Sequence, residues 1–126
     1  MTLYEECLEA LGEGVEILSK KDSEEIFEWF ESNFFISYGR IDWEKSKGLT
    51  LINSLEELPK CIQNEMVFIL WDEADTPVLK ANFRTVLDVI DDVTAVSFDT
   101  WLVGRDSGYV VEYHHEGDIT IAILDL

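Results

Sequence analysis

Basic residues are scarce in this chain. Its 126 residues carry 9 Lys and Arg against 27 Asp and Glu, a formal net charge of −18. Phosphate binding takes clustered Lys and Arg, so nucleic acid is not an expected ligand, and an anionic membrane is unsuitable for the same reason. Cysteine is scarce too. Cys7 and Cys61 are the only two, far apart and in no metal or redox spacing. Cys7 shares a helical face with Leu3 and Leu11, which reads as a reduced core thiol. No apolar run approaches the ~20 residues of a membrane span. The opening MTLYEECLEA has neither the basic nor the apolar region of a secretory signal, so a cytoplasmic protein is expected. Chemistry is equally thin. Gly12-Glu13-Gly14 lacks the rest of any phosphate-loop fingerprint, and no Ser or Cys sits in a nucleophile elbow. No catalytic residue, cofactor or metal site is expected.

What is present is enough apolar residue for a core. The chain is 47% hydrophobic and 12% aromatic, too much for a disordered acidic tail. At this length a second core would be short of residues, so residues 1–126 should form a single domain. Thr2 to Leu11 reads as a helix capped by Thr2, with Leu3, Cys7, Leu8 and Leu11 inward. Val15 to Leu18 is a short strand candidate. A helix over about Ser23 to Ser32 follows the capping-box pattern Asp22-x-x-Glu25. Phe34 to Tyr38 and Arg40 to Trp43 read as strands around Gly39, and Leu49 to Ile52 as another. Ser54-x-x-Glu57 is a second capping pattern, cut short by Pro59. Glu65 to Trp71 is apolar nearly throughout and reads as a central strand. Thr76 and Pro77 predict a helix start, with Leu79, Phe83, Val86, Leu87 and Ile90 on the inner face, leading into a strand over Ala95 to Val103. Strand, helix, strand predicts a right-handed parallel crossover. Tyr109 to His115 and Ile119 to Leu124 complete a C-terminal antiparallel three-stranded meander. The expected class is α+β or mixed α/β, a central mixed sheet with about four helices.

The acids carry the functional reading. Asp88, Asp91 and Asp92 have the i, i+3, i+4 spacing of one helical face. On this reading they also lie at the helix C-terminus, where each costs roughly 0.3–1 kcal/mol. Acids placed against stability point to a basic partner. Asp99 and Asp106 extend the set, and Trp101 and Tyr109 are candidate interface anchors. Asp72, Glu73 and Asp75 end the central strand, where they stabilise a helix N-terminus or face a ligand. His114 and His115 are strand neighbours that should point to opposite faces and so share no site. Glu112 and His114 share a face but give only two ligands, and zinc wants three or four.

Four segments together resemble a known family: Gly39-Arg40-Ile41-Asp42-Trp43; Ile69-Leu70-Trp71-Asp72; the run from Ile90 to Trp101; and Tyr109 through Ile123. They resemble the immunity proteins of contact-dependent growth inhibition and related polymorphic toxin systems. The resemblance implies a small cytosolic protein that binds the C-terminal toxin domain of a large secreted protein, often a nuclease with a basic cleft, and does no chemistry itself. A monomer occluding its toxin stoichiometrically is the leading expectation. The alternatives are an acidic adaptor or nucleic-acid mimic that inhibits another basic protein, and a small metal-assisted hydrolase using Asp72, Glu73 and His114.

Overall fold

Thr2 starts the first helix as its sequence pattern requires. Its hydroxyl accepts from the Glu5 backbone N–H and the Glu5 carboxylate accepts from the Thr2 N–H, a reciprocal capping box. The computed structural model describes residues 1–34, 36–37, 40–42, 49–52, 65–73, 75–115, 117 and 119–124. Within them lie helices α1 (Leu3–Leu11), α2 (Lys20–Asn33), α3 (Phe83–Asp88) and α4 (Ile90–Thr94). The strands are β1 (Glu16–Ile17), β2 (Ile36–Ser37), β3 (Arg40–Ile41), β4 (Leu49–Ile52), β5 (Met66–Trp71), β6 (Leu79–Asn82), β7 (Thr100–Gly104), β8 (Tyr109–Tyr113) and β9 (Ile119–Leu124). Cys61, Gly39, Trp43, the Glu44 to Gly48 turn, the Ser54–Glu57 capping pattern with Pro59, and Ala74 lie outside the described residues.

Seven strands form one sheet in the order β1-β6-β5-β7-β8-β9-β4, and β2 pairs with β3 separately. The α+β class stands, and so does the meander β7-β8-β9. The parallel crossover does not. β5 pairs antiparallel with both β6 and β7. The segment read as one long helix from Pro77 opens as a strand, because Leu79 and Ala81 are buried while Lys80 and Asn82 are not, a period of two rather than 3.6. The helix starts after Asn82, whose side-chain oxygen accepts from the backbone N–H groups of Arg84 and Thr85.

Alternate strand residues fill two cores. Val67, Ile69, Trp71, Leu79, Leu102, Tyr109, Val111 and Ile121 face α1, α3 and α4, meeting Cys7, Leu11, Phe83, Val86 and Val93. Leu70, Trp101, Val103, Val110 and Ala122 face the other way, onto Ile26 and Phe30 of α2 with Phe34 and Ile41. The central strands are thus covered on both faces, which explains their near-continuous apolar sequence. Burial pushes the Cys7 thiol up to about 11, with the charge of Asp92 adding to the effect, so the thiol stays protonated and inert. At the β7–β8 hairpin a Cβ on Gly104 would collide with the Tyr109 ring directly across the ladder. Gly108 closes that hairpin at φ +70°, a conformation few other residues adopt cheaply.

Candidate functional site

Of the acids the sequence points to, Asp72, Glu73 and Asp75 converge with others, on α2, that it does not. Ser19 caps α2 by accepting from the Asp22 N–H. One turn on, the buried Ser23 hydroxyl accepts from the Val78 N–H. That bond docks α2 beside the segment entering β6. It leaves Glu24, Glu28 and Glu31, spaced i, i+4, i+7 along one face, beside the turn after β5. There Asp72, Glu73 and Asp75 stand opposite them. The six carboxylates, with Lys20, line an open groove of about 720 Å³ floored by Leu18, Phe27 and Pro77. The turn is itself held: Thr76 N–H donates to the Glu73 carbonyl, and Asp72 N–H to the Asp99 carbonyl at 3.2 Å.

Asp72 and Glu73 also border a second depression, walled by Ala95, Val96, Ser97 and Phe98. Ser97 hydroxyl donates to the Asp72 carbonyl, joining the two loops. Phe98 is 81% exposed, an unusual state for a large aromatic. The sequence pattern placed it in a strand alternating with Asp99, but β7 begins only at Thr100. The signal available for it was weak: an aromatic just before the strand edge.

The sequence-predicted residues scatter. Trp101 is buried (2% exposed) against Phe30, their ring centroids 5.2 Å apart. Tyr109 is fully buried against Phe83, and burial raises its phenol pKa. Neither is a surface anchor, because both sheet faces are covered. Asp99 is buried as well, accepting from the His115 backbone N–H at 3.0 Å. Asp106 is exposed at the opposite end of β7. Asp88, Asp91 and Asp92 are exposed but do not share one helix. The chain leaves helical geometry at Val89 (φ −123°, ψ 31°), and α4 starts afresh with Asp91 and Asp92 in its first turn. That is the end where acids are favoured. Replacing both with Asn is therefore expected to lower stability by about 0.3–1 kcal/mol rather than raise it, as a thermal melt at low salt would show.

His114 and His115 also depart from expectation. β8 ends at Tyr113, so strand alternation no longer applies to them. A turn closed by the Gly117 N–H on the His114 carbonyl brings the two rings together, their centroids 4.1 Å apart. Glu112, by contrast, points into the α2 core, accepting from Trp101 Nε1 and the Ile41 N–H.

An acidic groove with an exposed aromatic at its rim is equipped to hold a basic protein surface. The family model described as "CdiI immunity protein EcoliA0-like" matches residues 1–122. The chain belongs to the CdiI immunity protein family. No curated protein matches it. As a CdiI protein it is a toxin-neutralising immunity protein of a contact-dependent growth inhibition system. No helix among the described residues of this CdiI protein is long and apolar enough to cross a membrane.

Proposed function

We propose that this immunity protein acts in the cytoplasm as a monomer and neutralises its cognate toxin by stoichiometric occlusion. The surface between α2 and the Asp72–Asp75 turn is the docking face. The observation that carries this reading is the opposed set of Glu24, Glu28 and Glu31 against Asp72, Glu73 and Asp75, with Phe98 exposed beside it. Six acids facing one groove repel one another, a repulsion that only a cationic partner relieves in full. They match a toxin whose active cleft is basic, as a nuclease's must be to bind phosphates. Opposed potentials steer encounter, and a desolvated aromatic slows release.

The test is stopped-flow binding of the cognate toxin domain to two variants. The triple change Glu24→Gln, Glu28→Gln, Glu31→Gln should lower the association rate about tenfold at low salt and flatten its salt dependence. Phe98→Ala should weaken binding by about 1–3 kcal/mol, mainly through faster dissociation. Wild-type rates for both variants would move the interface elsewhere, with Asp88, Asp91 and Asp92 or Asp106 the remaining acidic faces.

A further inference from the structure

Asp99, His114 and His115 meet where the loop before β7 touches the turn after β8. Their ligand atoms, one carboxylate oxygen and one ring nitrogen from each histidine, all lie within 4.8 Å of one another. Asp99 Oδ1 is 3.1 Å from His115 Nδ1 and 3.9 Å from His114 Nε2. The Asp99 and His114 side chains are only 6% and 7% exposed, while His115 is 47% exposed. From these positions we infer a binding site for a divalent transition-metal ion of the zinc type.

The distances fit such an ion. Zinc binds imidazole nitrogen and carboxylate oxygen at about 2.0–2.2 Å, so neighbouring ligands on a tetrahedral ion sit roughly 3.3–3.6 Å apart. The 3.1 and 3.9 Å separations lie on either side of that spacing, and the two histidine nitrogens, within 4.8 Å of each other, close onto the ion as it binds. The site is also organised in advance. The His115 backbone N–H holds Asp99 Oδ1 in place at 3.0 Å, the kind of outer support that orients metal ligands. The two imidazole rings lie side by side, their centroids 4.1 Å apart, so their nitrogens reach the same point beside Asp99. An ion seated between the three atoms replaces the direct contact of His115 Nδ1 with Asp99, and His115, being half exposed, leaves a path for entry and room for water as a fourth ligand. Two nitrogens select zinc, nickel or copper over magnesium and calcium, which prefer oxygen ligands alone. The bound ion would pin the Ser97–Asp99 loop, and Phe98 with it, to the turn after β8. Phe98 already packs edge-on against the His115 ring at 5.9 Å.

The test is calorimetric titration of the full chain, carrying no polyhistidine tag, with zinc chloride and separately with magnesium chloride. One zinc per chain is expected, with no saturable magnesium binding. His115→Ala, at a half-exposed position, should stay folded and bind zinc at least tenfold more weakly. His114→Ala should do the same, and zinc should raise the melting temperature of the wild type but not of His115→Ala. Absence of saturable zinc binding would overturn the assignment. So would zinc binding with wild-type affinity in both histidine variants, since it would come from the surface carboxylates.

Discussion

Trp71→Ala is expected to lower unfolding free energy by about 3–5 kcal/mol, the usual cost of emptying a large buried aromatic site. Trp71 is 1% exposed at the end of β5. Its ring meets Tyr4 of α1 edge-on at 6.0 Å. Its Nε1–H donates to the Val93 carbonyl in α4 at 2.9 Å. One side chain thus ties a central strand to two helices. Alanine leaves a cavity and also strips the Val93 carbonyl of that donor. Trp71→Phe keeps one aromatic ring and loses the hydrogen bond with part of the packing, so its cost should fall to about 1–3 kcal/mol. Urea denaturation followed by circular dichroism separates the two contributions. An alanine variant within about 1 kcal/mol of wild type would contradict the burial of Trp71. The groove provides a second readout, because Asp72 follows directly in sequence and Glu73 N–H donates to the Trp71 carbonyl. Loss of packing at Trp71 should therefore also weaken toxin binding through a loosened Asp72–Asp75 turn.

The burial of Trp71 was legible in the sequence because its run is apolar without alternation. The Thr2–Glu5 capping box and the C-terminal meander were legible for similarly local reasons. What failed was non-local. Thr76 and Pro77 carry a genuine helix-start pattern, but Leu79 and Ala81 sit opposite Ile69 and Val67 in the sheet, and that pairing outweighs local propensity. The cap moved to Asn82, and the helix shortened so far that Asp91 and Asp92 changed from the unfavourable end of one helix to the favourable end of another. Trp101 and Tyr109 stood as candidate anchors because they flank the acidic turn at Asp106, with the core as the other place for them. Here α2 covers one face and α1, α3 and α4 the other. The acidic groove was invisible for a related reason. Asp72, Glu73 and Asp75 were noticed, but nothing local to α2 shows that its acids come opposite them, which depends on Ser23 docking that helix against Val78.

Glu112 gives the other large expected effect, and it is one that composition would never suggest. It is a carboxyl group only 1% exposed, where acids ordinarily stay in water. One oxygen, Oε2, accepts from the Ile41 N–H at 2.7 Å and from Trp101 Nε1 at 2.9 Å. Trp101 is its direct cross-strand neighbour on β7, whereas Ile41 belongs to β3, outside the main sheet. The side chain therefore fastens β3 to the face that α2 covers. Glu112→Leu keeps the volume and removes the acceptor. It leaves two buried donors without this partner, each costing about 1–3 kcal/mol, so the expected loss is roughly 2–5 kcal/mol. Glu112→Gln keeps an oxygen in the same place and should lose no more than about half of that. Equal losses for the two variants would mean that the charge rather than the two hydrogen bonds matters at this position. No loss for Glu112→Leu would mean that the acceptor is dispensable. Because Trp101 packs on Phe30 of α2, the damage should reach the helix that carries Glu24, Glu28 and Glu31. Toxin association by Glu112→Leu should then slow along with the drop in stability, although Glu112 itself is buried.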